Sequence, residues 1–357
     1  MTRRLITLIC SILLSIATTF SQEPVRNIIY LIGDGMGLSS VSMMQLVNKY
    51  EPTIFDKAEN IALQKTYSAD NRVTDSAASG TALATGFKTN NTMLGMTPDN
   101  THVESLTELA KRHGKATGVV VTTYLQHATP AAFYAHVASR HEYVTISEQL
   151  LASNIDVAIG GGMAFFTERY GDSAPCVIEQ SGFSLARTME DVKAADSNTR
   201  LLALLADKEV GENSGSYLAE ATSEALRILE QRGGDSGFVL MVEGSLIDGM
   251  GHGNNAEGQQ LEMLSFMQAV EVAVKYAEEH PGTLVVVTAD HETGGLSLVS
   301  ANSDFNLSEQ GVEFRWTTDG HSGQMIPIYL YGTGAEHING IIENSDLGTK
   351  LKSLVTK

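Results

Sequence analysis

Val25-Arg26-Asn27-Ile28-Ile29-Tyr30-Leu31-Ile32 runs without a break into Gly33-Asp34-Gly35-Met36-Gly37. The first part is short and nearly all apolar, as expected of a strand buried on both faces. The glycines after it mark a turn and leave Asp34 at the strand's C-terminal end. Thr117–Thr122, Asp156–Ile159, Phe238–Val242, Leu284–Thr288 and Ile326–Tyr331 repeat the apolar pattern. Helical patterns fill the intervals at Ser76–Ala84, Val103–Arg112, Val144–Ala152, Tyr217–Gln231 and Ala256–Glu279. The alternation predicts an α/β protein: a mainly parallel central sheet with helices on both faces. No linker rich in Pro, Gly or Ser divides residues 22–357, which read as one domain. Phe166–Asn213 and Gly294–Trp316 are the least regular stretches and are expected to be excursions from the sheet.

Of 357 residues, 24 are Lys or Arg and 42 are Asp or Glu, for a formal net charge of −18. A sequence-independent nucleic-acid binder needs the opposite sign, so no nucleic acid partner is expected. Docking on anionic lipid is disfavoured for the same reason. With 43% hydrophobic residues, the chain is not disordered. Arg3 and Arg4 precede an apolar run, Leu5–Ala17, followed by small residues at Thr19 and Ser21. This is the pattern of a secretory signal peptide over residues 1–21, cleaved near Ser21–Gln22. The run is short for a membrane span. An uncleaved anchor and a lipid-modified Cys10 compete with that reading, and the apolar residues after Cys10 count against the second. The expectation is export to the periplasm or the extracellular space, without stable membrane insertion. Cleavage would leave a charge of −20 and a single cysteine, Cys176, hence no internal disulfide.

Residues able to do chemistry gather at the strand ends. Asp34 follows the first strand, and His127-Ala128-Thr129 follow Thr117–Thr122. Glu243, Asp248 and His252 follow Phe238–Val242, and Asp290-His291 follow Leu284–Thr288. In an open α/β sheet such ends share the edge where ligands bind. Histidine nitrogens mixed with carboxylate oxygens suit zinc. Thr129, Glu243 and a shared Asp34 offer oxygen only, which suits magnesium. Each signal has a plainer alternative. Gly33–Gly37 can be only a turn, and it lacks the spacing of a dinucleotide fingerprint. Asp290 can cap a loop, His127 can be structural, and His321 can be turn chemistry. Asp248 and His252 have a helical spacing, but Gly249 and Gly251 argue for a loop. Joint placement on one predicted edge favours a site.

Val73-Thr74-Asp75-Ser76-Ala77-Ala78-Ser79-Gly80-Thr81-Ala82 is rich in small residues, so backbone and ligand can approach closely. Ser76 would open a helix, where free N–H groups and the dipole favour an anion. A serine hydroxyl needs activation by a base or a metal. The alternative is that Asp75 or Ser76 is only an N-cap.

Taken together, these stretches resemble the alkaline phosphatases. Gly33–Gly37, Val73–Ala82, His127–Ala132, Ala135–Arg140, Val242–Gly244 with Ile247-Asp248 through His252, Thr288–Glu292 and His321–Gly323 match in family order. The resemblance implies that family's three-layer sandwich, hydrolysis of small-molecule phosphate monoesters, and two Zn2+ and one Mg2+ per chain. Ser76 would be the nucleophile that becomes a phosphoserine. Arg140 would bind two phosphoryl oxygens through its planar fork, and Asp75 would orient it. Asp248, His252 and His321 would hold one zinc. Asp34, Asp290 and His291 would hold the second, together with Ser76. Asp34, Thr129 and Glu243 would hold the magnesium, and His127 would contact its water shell or bind another metal there.

The sequence departs from the family pattern at two places. Gly249 stands where relatives often carry a larger side chain that touches phosphate, which predicts looser phosphate binding and puts the pH optimum in doubt. Only 29 residues, 292–320, separate His291 from His321, so there is little or no room for a crown-like insert. That insert often contributes to dimer contacts, so a homodimer stays open. The rival readings are a phosphodiesterase of the same superfamily and a metal- or phosphate-binding module without turnover. A sulfatase is disfavoured, since Ser76-Ala77-Ala78-Ser79-Gly80 lacks the arginine of a formylglycine setting. With its ions the implied pocket carries a formal charge of +1, and without them −4, so phosphate binding should require the metals.

Overall fold

The computed structural model describes residues 23–211, 215–301 and 311–356. The signal-peptide reading of residues 1–21 lies outside them. The strands are β1 (Asn27–Gly33), β2 (Asn60–Lys65), β3 (Ala116–Tyr124), β4 (Val157–Gly161), β5 (Phe183–Ala186), β6 (Arg200–Leu204) and β7 (Phe238–Gly244). They continue with β8 (Thr283–Thr288), β9 (Glu292–Thr293), β10 (Ser297–Ser300), β11 (Val312–Arg315), β12 (His321–Ser322), β13 (Ile326–Gly332) and β14 (Gly340–Glu343). The helices are α1 (Leu38–Val47), α2 (Ser76–Thr85), α3 (Leu106–Arg112), α4 (Ala128–Ala131), α5 (Tyr143–Ala152) and α6 (Met163–Tyr170). After them come α7 (Ala174–Gln180), α8 (Met189–Ala194), α9 (Tyr217–Gly233), α10 (Leu246–His252), α11 (Ala256–Glu279) and α12 (Asn344–Val355).

Ten strands form one sheet in the order β14-β2-β13-β8-β1-β7-β3-β4-β6-β5. Within it, among the described residues, only β13 runs antiparallel to its neighbours, β8 and β2. In β1, Ile28, Tyr30 and Ile32 enter the core on one face, while Ile29 and Leu31 enter the core on the other. Strand side chains alternate, so a run apolar at every position needs cover on both sides. α2, α3, α5 and α12 cover the first face, and α1, α9 and α11 cover the second. Each fully buried Ile or Leu contributes about 1.5–3 kcal/mol, so this two-sided burial dominates any local preference. No helix among the described residues is long and apolar enough to cross a membrane.

Strand register places the site. Ile32 of β1 lies opposite Glu243 of β7 and Thr288 of β8. Asp34 and Asp290 therefore leave adjacent strands at the same height, and the Gly35 N–H donates to Asp290 Oδ1 at 3.2 Å. Every residue of α2 is buried. Its small side chains allow that: a Cβ added at Gly80 would come within 3.3 Å of Thr129 Cα, so the serine helix lies directly on α4 at Thr129.

Two expectations are corrected and one holds. Phe166–Asn213 is not an irregular excursion, because α7, β5, α8 and β6 lie within it and β6 and β5 complete one end of the sheet. β5 is short and half exposed, so it lacks the apolar run that marks the central strands. Within Gly294–Trp316, β10 and β11 form an antiparallel pair of their own outside the ten-stranded sheet, as expected of an excursion, with residues 302–310 outside the described set. Asp248 and His252 lie on a helix, α10, and not on a loop. Each glycine costs a helix about 1 kcal/mol, but buried Ile247 and Met250 anchor it and outweigh that cost. Gly251 also fills a position where a Cβ would come within 3.0 Å of Thr293.

Candidate active site

Ser76 opens α2, with Asp75 as its N-cap. Asp75 Oδ1 accepts from the Ala78 N–H at 2.9 Å, and Oδ2 accepts from the Thr92 N–H at 3.0 Å. Oδ2 also lies 3.3 Å from Arg140 Nη1, so the cap and the arginine clamp share one carboxylate. The second guanidinium nitrogen, Nη2, is 3.1 Å from His127 Nε2. Ser76 is buried, and its Oγ lies 3.2 Å from His291 Nε2.

Three groups of ligand atoms gather at this edge of the sheet, the second of them through His291. In the first, His252 Nε2 lies 3.3 Å from Asp248 Oδ2 and 3.3 Å from His321 Nε2. The Nδ1 of His252 meets the Asp319 carbonyl at 2.6 Å, and that of His321 meets the Thr74 carbonyl at 2.8 Å. A carbonyl only accepts, so each Nδ1 carries a proton and each Nε2 faces the cluster. In the second, His291 Nε2 lies 3.2 Å from Asp290 Oδ2 and 3.4 Å from Asp34 Oδ1, and all three residues are buried. The third joins Asp34, His127 and Glu243, with Thr129 beside them.

The electrostatics are those of a cation site. Both oxygens of Asp34, Asp290 Oδ2, Glu243 Oε1, Thr129 Oγ1 and His127 Nδ1 are buried without a hydrogen-bond partner among the described residues. Unpaired buried polar atoms are costly, and so many aimed at one place call for a bound charge. Burial, and then the charges of Asp290, Asp248 and Glu243, push the Asp34 carboxyl well above the usual carboxylate range. Burial pushes Glu243 up to about 8, against the hydrogen bond donated by Ser245. Burial, with Arg140 alongside, pushes His127 down to about 3. The hydrogen bond with Asp248 pushes His252 up to about 9. Burial would raise Asp248 in turn, but the bond to His252 and the charges of His291, His252 and His321 hold it below its ordinary range. The donor sets fit divalent ions: two histidines and a carboxylate in the first group, two carboxylates and a histidine in the second, mainly oxygen in the third.

The candidate catalytic and ligand residues, Asp34, Asp75, Ser76, His127, Thr129, Arg140, Glu243, Asp248, His252, Asp290, His291 and His321, come together in these contacts. Others escaped notice. Thr293 Oγ1 donates to Asp248 Oδ1 and lies 3.2 Å from His291 Nδ1. Its signal was available, since residues two apart in an extended segment share a side, and it stands two after His291. Ser245, whose hydroxyl donates to Glu243 Oε2 at 2.5 Å, stands two residues after its partner. The carbonyls of Thr74 and Asp319 gave no signal, because every residue has one.

The family model for alkaline phosphatase matches residues 25–310. The chain belongs to the alkaline phosphatase family. It is 31% identical to alkaline phosphatase 4 of Bacillus subtilis (strain 168), the match covering 91% of this chain and 87% of that protein. It is also 31% identical to the alkaline phosphatase of Escherichia coli (strain K12), covering 94% and 87% respectively. The solved alkaline phosphatase of the Antarctic bacterium TAB5 superposes with a TM-score of 0.86 at 34% identity, covering 94% of this chain and 99% of that one. A histidine-to-aspartate variant of the TAB5 enzyme has been solved with Mg bound in its M3 site. This alkaline phosphatase is accordingly a phosphomonoester hydrolase that takes divalent metal ions.

Proposed function

We propose that this phosphatase cleaves small-molecule monoesters by double displacement through a phosphoserine at Ser76. The observation that carries the reading is the position of Ser76 Oγ. It lies at a helix N-terminus, 3.2 Å from His291 Nε2 of the second ligand group, next to the Asp75 that holds Arg140. Asp248, His252 and His321 would hold one zinc; Asp34, Asp290 and His291, with Ser76, the second; Asp34, Thr129 and Glu243 the magnesium. In the third group His127 is the one nitrogen and the other donors are oxygens, which suits magnesium. When bound, the cations would neutralise the carboxylates, make the Ser76 hydroxyl more acidic and offset the negative charge that develops during transfer.

The chain's own residues supply the rest. Arg140, held by Asp75, grips two phosphoryl oxygens and turns the phosphorus toward Ser76 Oγ. Ser76 forms its bond to phosphorus as the ester oxygen departs in line. Water then attacks the phosphoserine from the face the alcohol has vacated, which releases inorganic phosphate and restores the serine. Free N–H groups at the start of α2 favour the anion throughout.

The test is turnover of an aryl monoester beside an aryl diester, on protein whose zinc and magnesium content is measured. The expected result is rapid monoester turnover tracking metal content. Faster diester turnover would make the protein a phosphodiesterase, and metal uptake with no turnover of either would make it a binding module. Arg140→Ala should weaken inhibition by inorganic phosphate about 10- to 100-fold, the worth of charge-assisted hydrogen bonds of 1.5–3 kcal/mol. Unchanged inhibition would remove Arg140 from the phosphate site. Gly249 is exposed, and a Cβ there meets nothing within 4 Å, so a side chain fits without rearrangement. Gly249→Lys should tighten phosphate inhibition roughly two- to fivefold, the worth of one exposed charge pair. Inhibition constants for the two variants against the parent check both expectations.

A further inference from the structure

We propose that Thr293 is a positioning residue that orients ligands of both histidine-containing metal sites through one hydroxyl. The inference rests on the reading above, in which the first two groups hold cations. Thr293 is buried, and its hydroxyl lies between Asp248 of the first group and His291 of the second. The direction of the bonds is forced. Asp248 is a carboxylate and only accepts, so the single hydroxyl proton goes to Asp248 Oδ1. The Thr293 lone pairs then face His291 Nδ1, which must carry its proton and donate at 3.2 Å. The neutral imidazole, the form that can bind a cation, then presents its Nε2 lone pair toward Asp34, Asp290 and Ser76.

One side chain thus sets the tautomer of His291 and the rotation of Asp248. The other two histidine ligands are fixed by backbone carbonyls, those of Asp319 and Thr74. Thr293 is itself held firmly. It pairs with His321 across the β9–β12 ladder, and its N–H donates to the Gly35 carbonyl at 3.2 Å. Its side chain packs so closely that a Cβ at Gly35 would come within 2.9 Å of the hydroxyl oxygen. Contacts from Asp248, His291 and His321 converge on this residue, so its hydroxyl links the two sites physically.

Valine matches threonine in shape and lacks the hydroxyl, so Thr293→Val isolates the proposed role. Zinc affinity is measured by chelator competition on parent, Thr293→Val and Thr293→Ser proteins, alongside the melting temperatures of their metal-free forms. The valine variant should bind zinc about 10- to 100-fold more weakly, the usual effect of losing a partner of a metal ligand, and serine should restore most of the affinity. Valine binding zinc as tightly as the parent would overturn the proposal. So would a lower metal-free melting temperature with unchanged zinc affinity, which marks a purely packing role. A serine variant as weak as valine would also overturn it. If the parent itself takes up no zinc, the metal reading fails first and this inference falls with it.

Discussion

Ser76→Ala lowers turnover of an aryl phosphate by about four orders of magnitude or more, the scale of losing a catalytic nucleophile, while zinc and magnesium content stay close to the parent's. Two geometric facts separate these effects. Ser76 Oγ is the one hydroxyl placed both at the start of α2 and against His291 Nε2 among the described residues. The second ligand group keeps Asp34, Asp290 and His291 without it. The substitution also spares the fold, because the N-cap is the neighbouring Asp75, whose Oδ1 holds the Ala78 N–H. Alanine is a good helix former, and α2 already consists of small buried residues. Turnover and metal content of the two purified proteins check the expectation, and near-parental turnover would exclude the serine route.

Removing the divalent ions has an equally large effect: turnover stops, and inorganic phosphate no longer binds. Adding zinc with magnesium restores both. Without cations, the positive charge that offsets Asp34, Asp75, Glu243, Asp248 and Asp290 is gone, and most of the attraction for a phosphate goes with it. The orphaned oxygens of Asp34, Asp290 and Glu243 then lie buried near one another, and that crowding drives Asp34 and Glu243 to hold protons. The ions also stabilise the fold, since a ligand present at a hundred times its dissociation constant adds about 2.7 kcal/mol. Chelation should therefore lower the melting temperature as well as the rate. Assays of turnover, phosphate binding and melting before and after chelation read all three. Turnover persisting in fully metal-free protein would contradict the account.

The central sheet was legible because its strands have no solvent face. Ile28 to Ile32 are apolar at five successive positions, and only a strand covered on both sides uses such a run. β5 and β2 lie at or near the sheet margins, where half-exposed positions break the run, and they were not read. α10 was taken for a loop because Gly249 and Gly251 oppose a helix locally. Packing of Ile247, Met250 and Thr293 settles the matter, and packing is not written in a local pattern. The ligand residues were legible by type and by their position after strands, because the edge of a parallel sheet collects them whatever their separation in sequence. Their partners were less so. Thr293 matters through two contacts, one reaching to Asp248, that exist only once the chain has folded.

The most direct measurement is mass spectrometry of the metal-loaded enzyme, acid-quenched during turnover of a phosphate monoester and digested. The account predicts one phosphoryl group on the peptide carrying Ser76, absent without substrate and absent in Ser76→Ala. Turnover with that peptide unmodified under conditions that preserve a reference phosphoserine, or with the phosphoryl group on another residue, would contradict it.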